Sequence, residues 1–136
     1  MITLATFDDL IAKKSLLTHY FYEKKWNNGE LTIPELQKYA KEYFHLVKAV
    51  PGMVSRVRDR ALERDPKLAA LIAKNVAEEE EHIELWKKFS GSLGISEEEL
   101  EAHQPNAKVV AAVEKLEELA EGSLEDGVTM MYAMER

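Results

Sequence analysis

Residues 65–89 read DPKLAALIAKNVAEEEEHIELWKKF, and this stretch decides the fold class. Asp65 followed by Pro66 is typical of a helix start, because aspartate caps the first backbone N–H groups and proline suits the first turn. Apolar residues then recur at helical spacing as far as Phe89. The stretch therefore predicts one long amphipathic helix.

The rest of the chain also reads as helices, divided by capping residues, glycines and prolines. Pro51 is expected to interrupt the pattern of the second one. The predicted helices run from Thr6 to about Trp26, from Thr32 to about Val50, from about Met53 to Glu63, from Ser96, from Asn106 to about Ala120, and from Ser123. No segment shows the sustained alternation of a strand, so we predict an all-α fold with residues 1–136 in a single helical domain.

Composition narrows the class of protein. A hydrophobic fraction of 46% favours a globular protein, and 18 basic against 25 acidic residues give a net charge of −7, which disfavours nucleic-acid and anionic-membrane partners. The chain has no cysteine, which excludes a thiolate nucleophile or a thiolate zinc site and fits a reducing cytoplasm. The N-terminal residues do not resemble a signal peptide, and the longest apolar run, Val109 to Val113, is too short to span a bilayer. We therefore expect a soluble, cytoplasmic protein.

Three ionisable residues fall on helix faces that should be apolar. Glu79 and His82 lie within the apolar stripe of the long helix, and Glu135 lies within that of the last helix. A buried carboxylate must become protonated, pair with a cation or bind a metal. Glu79 and His82 also have the Glu-x-x-His spacing found in carboxylate di-iron proteins. The pattern predicts a metal site with Glu79, His82 and Glu135 as ligands, whose oxygen and nitrogen donors suit iron or manganese and are acceptable to zinc.

Simpler explanations stay open at this point. An inward glutamate often pairs with a basic residue, and Arg56, Arg58 and Arg60 are available. A histidine on an apolar face is often a hydrogen-bonded core residue. Neither explanation accounts for all three ionisable residues together.

The other histidines and the tyrosines are assigned no chemistry. His19, His45 and His103 are expected to be surface or structural residues, because they match no ligand spacing or lie off the apolar stripe. The tyrosines at positions 20, 22, 39 and 43 are expected to be core aromatics, although any of them could line a substrate pocket.

Several sequence blocks, taken in order, resemble one known superfamily across nearly the whole chain. The blocks are His19-Tyr20-Phe21 with Trp26 and Gly29-Glu30-Leu31, Leu36-Gln37-Lys38-Tyr39-Ala40 with Tyr43-Phe44-His45, Asn75, Glu79 and His82-Ile83-Glu84-Leu85-Trp86 with Gly94, and Tyr132-Ala133-Met134-Glu135. They resemble the haem-oxygenase-like TenA/PqqC superfamily. The later blocks resemble its iron-containing oxidase branch, which includes the olefin-forming fatty-acid decarboxylases and the Chlamydia protein associating with death domains.

The resemblance implies a haem-oxygenase-like helical bundle with Glu79, His82 and Glu135 as ligands of an O₂-activating di-iron site. Asn75 is expected to orient a ligand. Members of the branch continue into a second helical half that supplies a His, an Asp and a second His, so we expect this chain to be the N-terminal part of such a fold.

We therefore expect a non-haem, di-iron, O₂-dependent oxidase or oxygenase. The substrates implied by the resemblance are a fatty acid, an amino acid or the protein's own tyrosine side chain. The expected partners are a small-molecule substrate, O₂ and a second copy of the chain, because two copies would offer four carboxylates and two histidines, the ligand inventory of a di-iron bundle.

Three other functions are considered. A metal-free TenA/PqqC-like protein of cofactor metabolism is disfavoured in its thiol-dependent form by the lack of cysteine. A non-enzymatic helical interaction module would need no metal. An iron-storage protein is suggested only by one helix, which resembles that of the encapsulated ferritins.

Overall fold

The computed structural model describes residues 2–135, and within them it contains helices and no β-strand. The helices are α1 (Leu4–Ala12), α2 (Ile33–Arg64), α3 (Pro66–Ser92), α4 (Glu97–Ala102), α5 (Ala107–Glu121) and α6 (Leu124–Glu135). The all-α prediction is confirmed. None of these helices is both long enough and apolar enough to cross a membrane.

Side-chain caps begin the helices where the sequence predicts them. The Thr32 backbone N–H donates to the Glu35 carboxylate at 2.9 Å, and the Glu35 N–H donates back to the Thr32 hydroxyl at 3.4 Å, which forms a capping box. Asp65 accepts from the first backbone N–H groups of α3 at 3.0 and 3.1 Å. Similar side-chain caps begin the last three helices, at Ser96, Asn106 and Ser123.

The N-terminal region differs from its prediction as a single helix. The first helix is capped by Thr3, whose hydroxyl accepts from the Thr6 N–H at 3.2 Å, and not by Thr6. After α1 the chain forms a 3-10 turn at Leu16–Thr18 and a π-helical segment at Phe21–Trp26. The prediction of one helix from Thr6 to about Trp26 is therefore wrong. The Ser15 hydroxyl accepts a hydrogen bond from the backbone N–H two residues later, and this bond competes with helical hydrogen bonding.

The predicted break at Pro51 is also wrong, since α2 continues through it. Proline has no backbone N–H, so the helix loses one hydrogen bond at Pro51 while the others remain. The apolar face continues on both sides, with Val50, Met53, Val54 and Val57 all buried. Packing of this face therefore holds a single helix where a break and a separate short helix were expected.

Helix α2 lies at the centre of the molecule and packs against α3, α5 and α6. Gly127 of α6 lies directly on Val57, where an added Cβ would be only 2.6 Å from a Val57 methyl carbon. Near the other end of α2, the Trp86 indole N–H donates to the Ala40 carbonyl oxygen at 2.8 Å and ties α3 to α2. These contacts fix α3 and α6, which carry the predicted site residues, against α2.

Candidate metal centre

A cavity of about 600 Å³ lies between α2, α3, the end of α6 and Trp26. Its walls are largely aromatic and aliphatic, and include Tyr39, Tyr43, Val47, Val50, Trp86 and Phe89. The ionisable residues Glu79, His82 and Glu135 line the same cavity. The three residues that the sequence assigns to a metal site therefore line one cavity, although they come from two helices.

Glu79 and His82 form a pair within α3. The His82 Nδ1 atom lies 2.9 Å from the Glu79 Oε2 atom, as their i, i+3 spacing allows. The Glu79 side chain is 18% exposed, whereas the His82 side chain is 55% exposed. His82 therefore lines the cavity but is not packed in the core, so the expectation that it faces a closed interior is wrong. The apolar stripe of α3 borders an open cavity at this point, and no helix of the described chain packs over it.

Glu135 is likewise exposed, at the last described turn of α6. It shares a second, smaller crevice with Asn75 and Glu79, beside Met131 and Met134. Asn75 thus lies close to two of the predicted ligands. This is the location expected of a side chain that orients a ligand.

The arginines considered as partners of Glu79 bind elsewhere. Arg56 lies 3.6 Å from Glu121, Arg58 pairs with the neighbouring aspartate at 2.7 Å, and Arg60 donates to backbone carbonyl oxygens at the end of α5. Within residues 2–135 the ion-pair contact of Glu79 is with His82. The arrangement therefore does not support the explanation of Glu79 as a carboxylate neutralised by arginine.

The side chains at the cavity are of the types that bind iron, but they are too few to complete its coordination. Carboxylate oxygens and an imidazole nitrogen are ligands that iron and manganese accept. Glu79 and His82 are adjacent, but no three His, Cys, Asp or Glu side chains of the described chain lie close enough together to hold a metal ion. The residues present therefore amount to a partial ligand set, formed by one adjacent pair and a further carboxylate on the same cavity.

Aromatic rings form the wall of the cavity beside this pair. Tyr39, Tyr43 and Trp86 form a cluster of mutually contacting rings, with centroid distances of 5.4 Å for Tyr39–Tyr43, 5.0 Å for Tyr43–Trp86 and 5.8 Å for Tyr39–Trp86. The Tyr22 hydroxyl donates to the Tyr39 hydroxyl at 3.2 Å. Tyr20 is 62% exposed, so its prediction as a core aromatic is wrong.

The environment of the two cavity tyrosines keeps both phenols neutral. Burial, and then the hydrogen bond with Tyr22, raise the pKa of Tyr39 well above its ordinary value. Burial, and then the charges of Tyr22 and Glu79, raise the pKa of Tyr43. Both side chains therefore carry hydroxyl groups, and not phenolates, at neutral pH.

A polar cluster that the sequence did not predict joins α2 to the start of α5. The Glu42 carboxylate accepts from the Asn106 backbone N–H at 2.9 Å and from its side-chain amide at 2.8 Å, and lies 3.1 Å from the His103 Nε2 atom. His103 thus has the structural role that was expected of it. His19 accepts a backbone N–H through Nδ1, and neither it nor His45 lines the cavity.

Comparisons with known proteins agree with this architecture. The family model described as TENA/THI-4/PQQC matches residues 9–135. The chain is 40% identical over 137 residues to a protein of Chlamydia muridarum named 4-aminobenzoate synthase, covering 97% of this chain and 57% of that protein. It is 39% identical to the protein of the same name from Chlamydia trachomatis serovar D, with 97% and 58% coverage. It is 34% identical over 104 residues to that of Nitrosomonas europaea, with 68% and 42% coverage.

The chain spans about half the length of the curated relatives that it matches. The family match, in contrast, covers nearly all of the chain, including the segments that contain Glu79, His82 and Glu135. The chain therefore belongs to the TENA/THI-4/PQQC family.

Proposed function

We propose that this chain is part of a metal-dependent, O₂-using oxidoreductase that forms 4-aminobenzoate or a closely related aromatic product. The observation that carries the proposal is the Glu79–His82 pair on an aromatic cavity, in a chain about 40% identical to proteins named 4-aminobenzoate synthase. The name describes those relatives, and its extension to this chain is our proposal.

Iron is the metal that we propose, with a di-iron site as the full form. Bound iron would supply the activation of O₂. Glu79, His82 and Glu135 would hold it, and the two carboxylates would offset part of its positive charge. Because these side chains form a partial set, we propose that the remaining ligands come from a second copy of the chain.

The substrate class that we propose is aromatic. The product named for the relatives contains a benzene ring, and the cavity walls are formed by rings such as Tyr39, Tyr43 and Trp86. Of the substrates implied by the family resemblance, a fatty acid fits that product least well. A tyrosine side chain of the protein already contains the ring, and two tyrosines line the cavity.

The amount of product separates a free substrate from a tyrosine of the chain. A side chain of the protein can be consumed once, so it would yield at most about one product molecule per chain. A free aromatic substrate would allow many turnovers. Mass spectrometry of the product, together with the mass of the protein before and after reaction, distinguishes the two.

Growth of a bacterium that cannot make 4-aminobenzoate tests the proposed activity. We expect expression of this chain to restore growth without added 4-aminobenzoate, and we expect Glu79→Gln and His82→Ala to abolish the effect. His45→Ala is the matched control, because His45 lies on α2 away from the cavity. A folded, well-expressed chain that fails to restore growth would contradict the proposal for the 136-residue chain.

A further inference from the structure

Tyr43 is a half-buried tyrosine of the cavity whose hydroxyl is uncommitted within the described chain. The Tyr39 hydroxyl is engaged by Tyr22, and the Trp86 N–H is engaged by the Ala40 carbonyl oxygen. The Tyr43 hydroxyl, in contrast, makes no hydrogen bond within the described chain. It is not a fully buried atom either, since the fully buried side-chain atoms without a partner belong to Arg56 and Ser90. Its hydroxyl is therefore accessible from the cavity.

The surroundings of this hydroxyl limit what it can bind. The ring of Tyr43 packs against Tyr39 at 5.4 Å and against Trp86 at 5.0 Å, and those two rings also contact each other at 5.8 Å, so packing in this three-ring cluster restricts its direction. Such a fixed donor loses little conformational entropy when a ligand binds. A hydroxyl in a largely apolar wall favours a ligand that presents one hydrogen-bond acceptor from an otherwise apolar body.

The charges of the cavity add a second restriction. Its described lining contains the carboxylates Glu79 and Glu135 and no lysine or arginine. A ligand carboxylate entering the cavity without a metal would meet the carboxylates of Glu79 and Glu135, and the one imidazole of the described lining, His82, is already paired with Glu79. The side chains of the chain itself therefore disfavour an anion.

We infer that Tyr43 is a positioning residue, which donates a hydrogen bond to an uncharged, ring-sized ligand in the cavity, and that the chain's own carboxylates exclude the corresponding anion. The choice of an aromatic ligand rests on the proposed function. The donor and the charge selectivity rest on the contacts of Tyr43 and on the acidic lining.

Equilibrium binding to the metal-free chain tests the inference, with 4-aminobenzamide and 4-aminobenzoate as probes of nearly equal shape. Ligand line broadening in NMR, in the presence of a chelator, measures both affinities. We expect the neutral amide to bind at least about tenfold more tightly than the acid, since a difference of this size corresponds to one modest charge repulsion. Equal affinities, tighter binding of the acid, or no binding of the amide would overturn the inference.

Two variants separate the donor from the charge. Tyr43→Phe keeps the stacked ring and should weaken amide binding about fivefold, as expected for one neutral hydrogen bond. Tyr20→Phe, which removes a hydroxyl outside the cavity, should leave it unchanged. Glu79→Gln should narrow the preference for the amide over the acid. An effect of Tyr43→Phe no larger than that of Tyr20→Phe, or an unchanged preference in Glu79→Gln, would overturn the assignment.

Neither measurement requires turnover or metal. A chain that shows this binding but makes no 4-aminobenzoate would contradict the proposed function alone. A chain that makes the product but binds the acid as tightly as the amide would contradict the inference about Tyr43 and the carboxylates alone.

Discussion

The His82 Nδ1 atom lies 2.9 Å from the Glu79 carboxylate, one helical turn earlier on α3. This contact leaves Nε2 as the ring nitrogen that is free to meet a ligand. Proteins commonly orient a metal-binding imidazole through a carboxylate on its other nitrogen. The pair lies on the cavity that Glu135 also lines, so the geometry of α6 against α2 and α3 decides whether the three residues can act together.

Gly127→Ala tests that packing. The new Cβ would lie 2.6 Å from a Val57 methyl carbon, so α6 would have to move away from α2. We expect a loss of about 1–2 kcal/mol in the free energy of unfolding, because overpacking outweighs the gain in helix propensity. Urea unfolding followed by circular dichroism measures it.

Gly91→Ala is the matched control, since an added Cβ there meets nothing within 4 Å. We expect that variant to be neutral or more stable by at most about 1 kcal/mol. The double variant Gly127→Ala with Val57→Ala should lose less unfolding free energy than the sum of the two single variants, because alanine at position 57 makes room for the new Cβ. Strictly additive losses would show that Gly127 and Val57 are not coupled.

The capped starts of α2, α3, α4, α5 and α6 could be predicted from the sequence, because capping is a local interaction. The Thr32 and Glu35 pair and the Asp65 cap depend on residues within one turn of each other. The break at Pro51 was predicted wrongly because the packing that holds α2 together comes from residues distant in the chain. The opposite error occurs at Ser15, where a continuous helix was predicted. There a short-range hydrogen bond to the serine hydroxyl interrupts an otherwise helical pattern.

The candidate site was predicted as a set of residues but not in its environment. Periodicity places Glu79 and His82 on one face of α3, and the cavity that this face borders is also lined by Glu135. Periodicity cannot tell whether another helix covers that face, and so it places His82 facing the core although its side chain is 55% exposed. The Glu42 cluster was missed because its members are about sixty residues apart in sequence.

Glu42→Gln tests the cluster that fastens α2 to α5. Burial alone raises the pKa of the Glu42 carboxyl, but the hydrogen bonds from Asn106 and His103 outweigh it and lower the pKa overall. An acid whose pKa is lowered by folding stabilises the protein above its unfolded pKa, about 4.3, and loses this contribution as the pH falls through the folded value. We expect the variant to lose about 1–2 kcal/mol at pH 7 and much less at pH 3.

Glu99→Gln serves as the control for Glu42→Gln. Glu99 pairs with Lys41 at 2.9 Å but its side chain is 51% exposed, so we expect a change below about 0.5 kcal/mol at either pH. Denaturant unfolding at the two pH values gives all four free energies. An effect of Glu42→Gln that is as large at pH 3 as at pH 7 would contradict the assigned role of its charge.

Self-association is predicted from the incomplete ligand set and from exposed apolar side chains. Leu71 and Leu85 on α3 are 59% and 58% exposed, and Val128 and Met134 on α6 are each 37% exposed. A two-fold dimer would cover such side chains and bring together two copies of the ligand set. We expect a dimer at micromolar concentration that binds about one iron per chain. Sedimentation with and without iron measures this, and a monomer that binds two irons per chain would refute the shared site.

The iron content of the purified chain and three variants tests the central claim most directly. Wild type, Glu79→Gln, His82→Ala and His45→Ala are loaded with ferrous iron without oxygen, dialysed, and analysed for metal and for helical content. We predict that Glu79→Gln and His82→Ala retain at least about tenfold less iron than wild type, and that His45→Ala retains as much as wild type, with all four folded. Equal iron in wild type, Glu79→Gln and His82→Ala would contradict the metal centre.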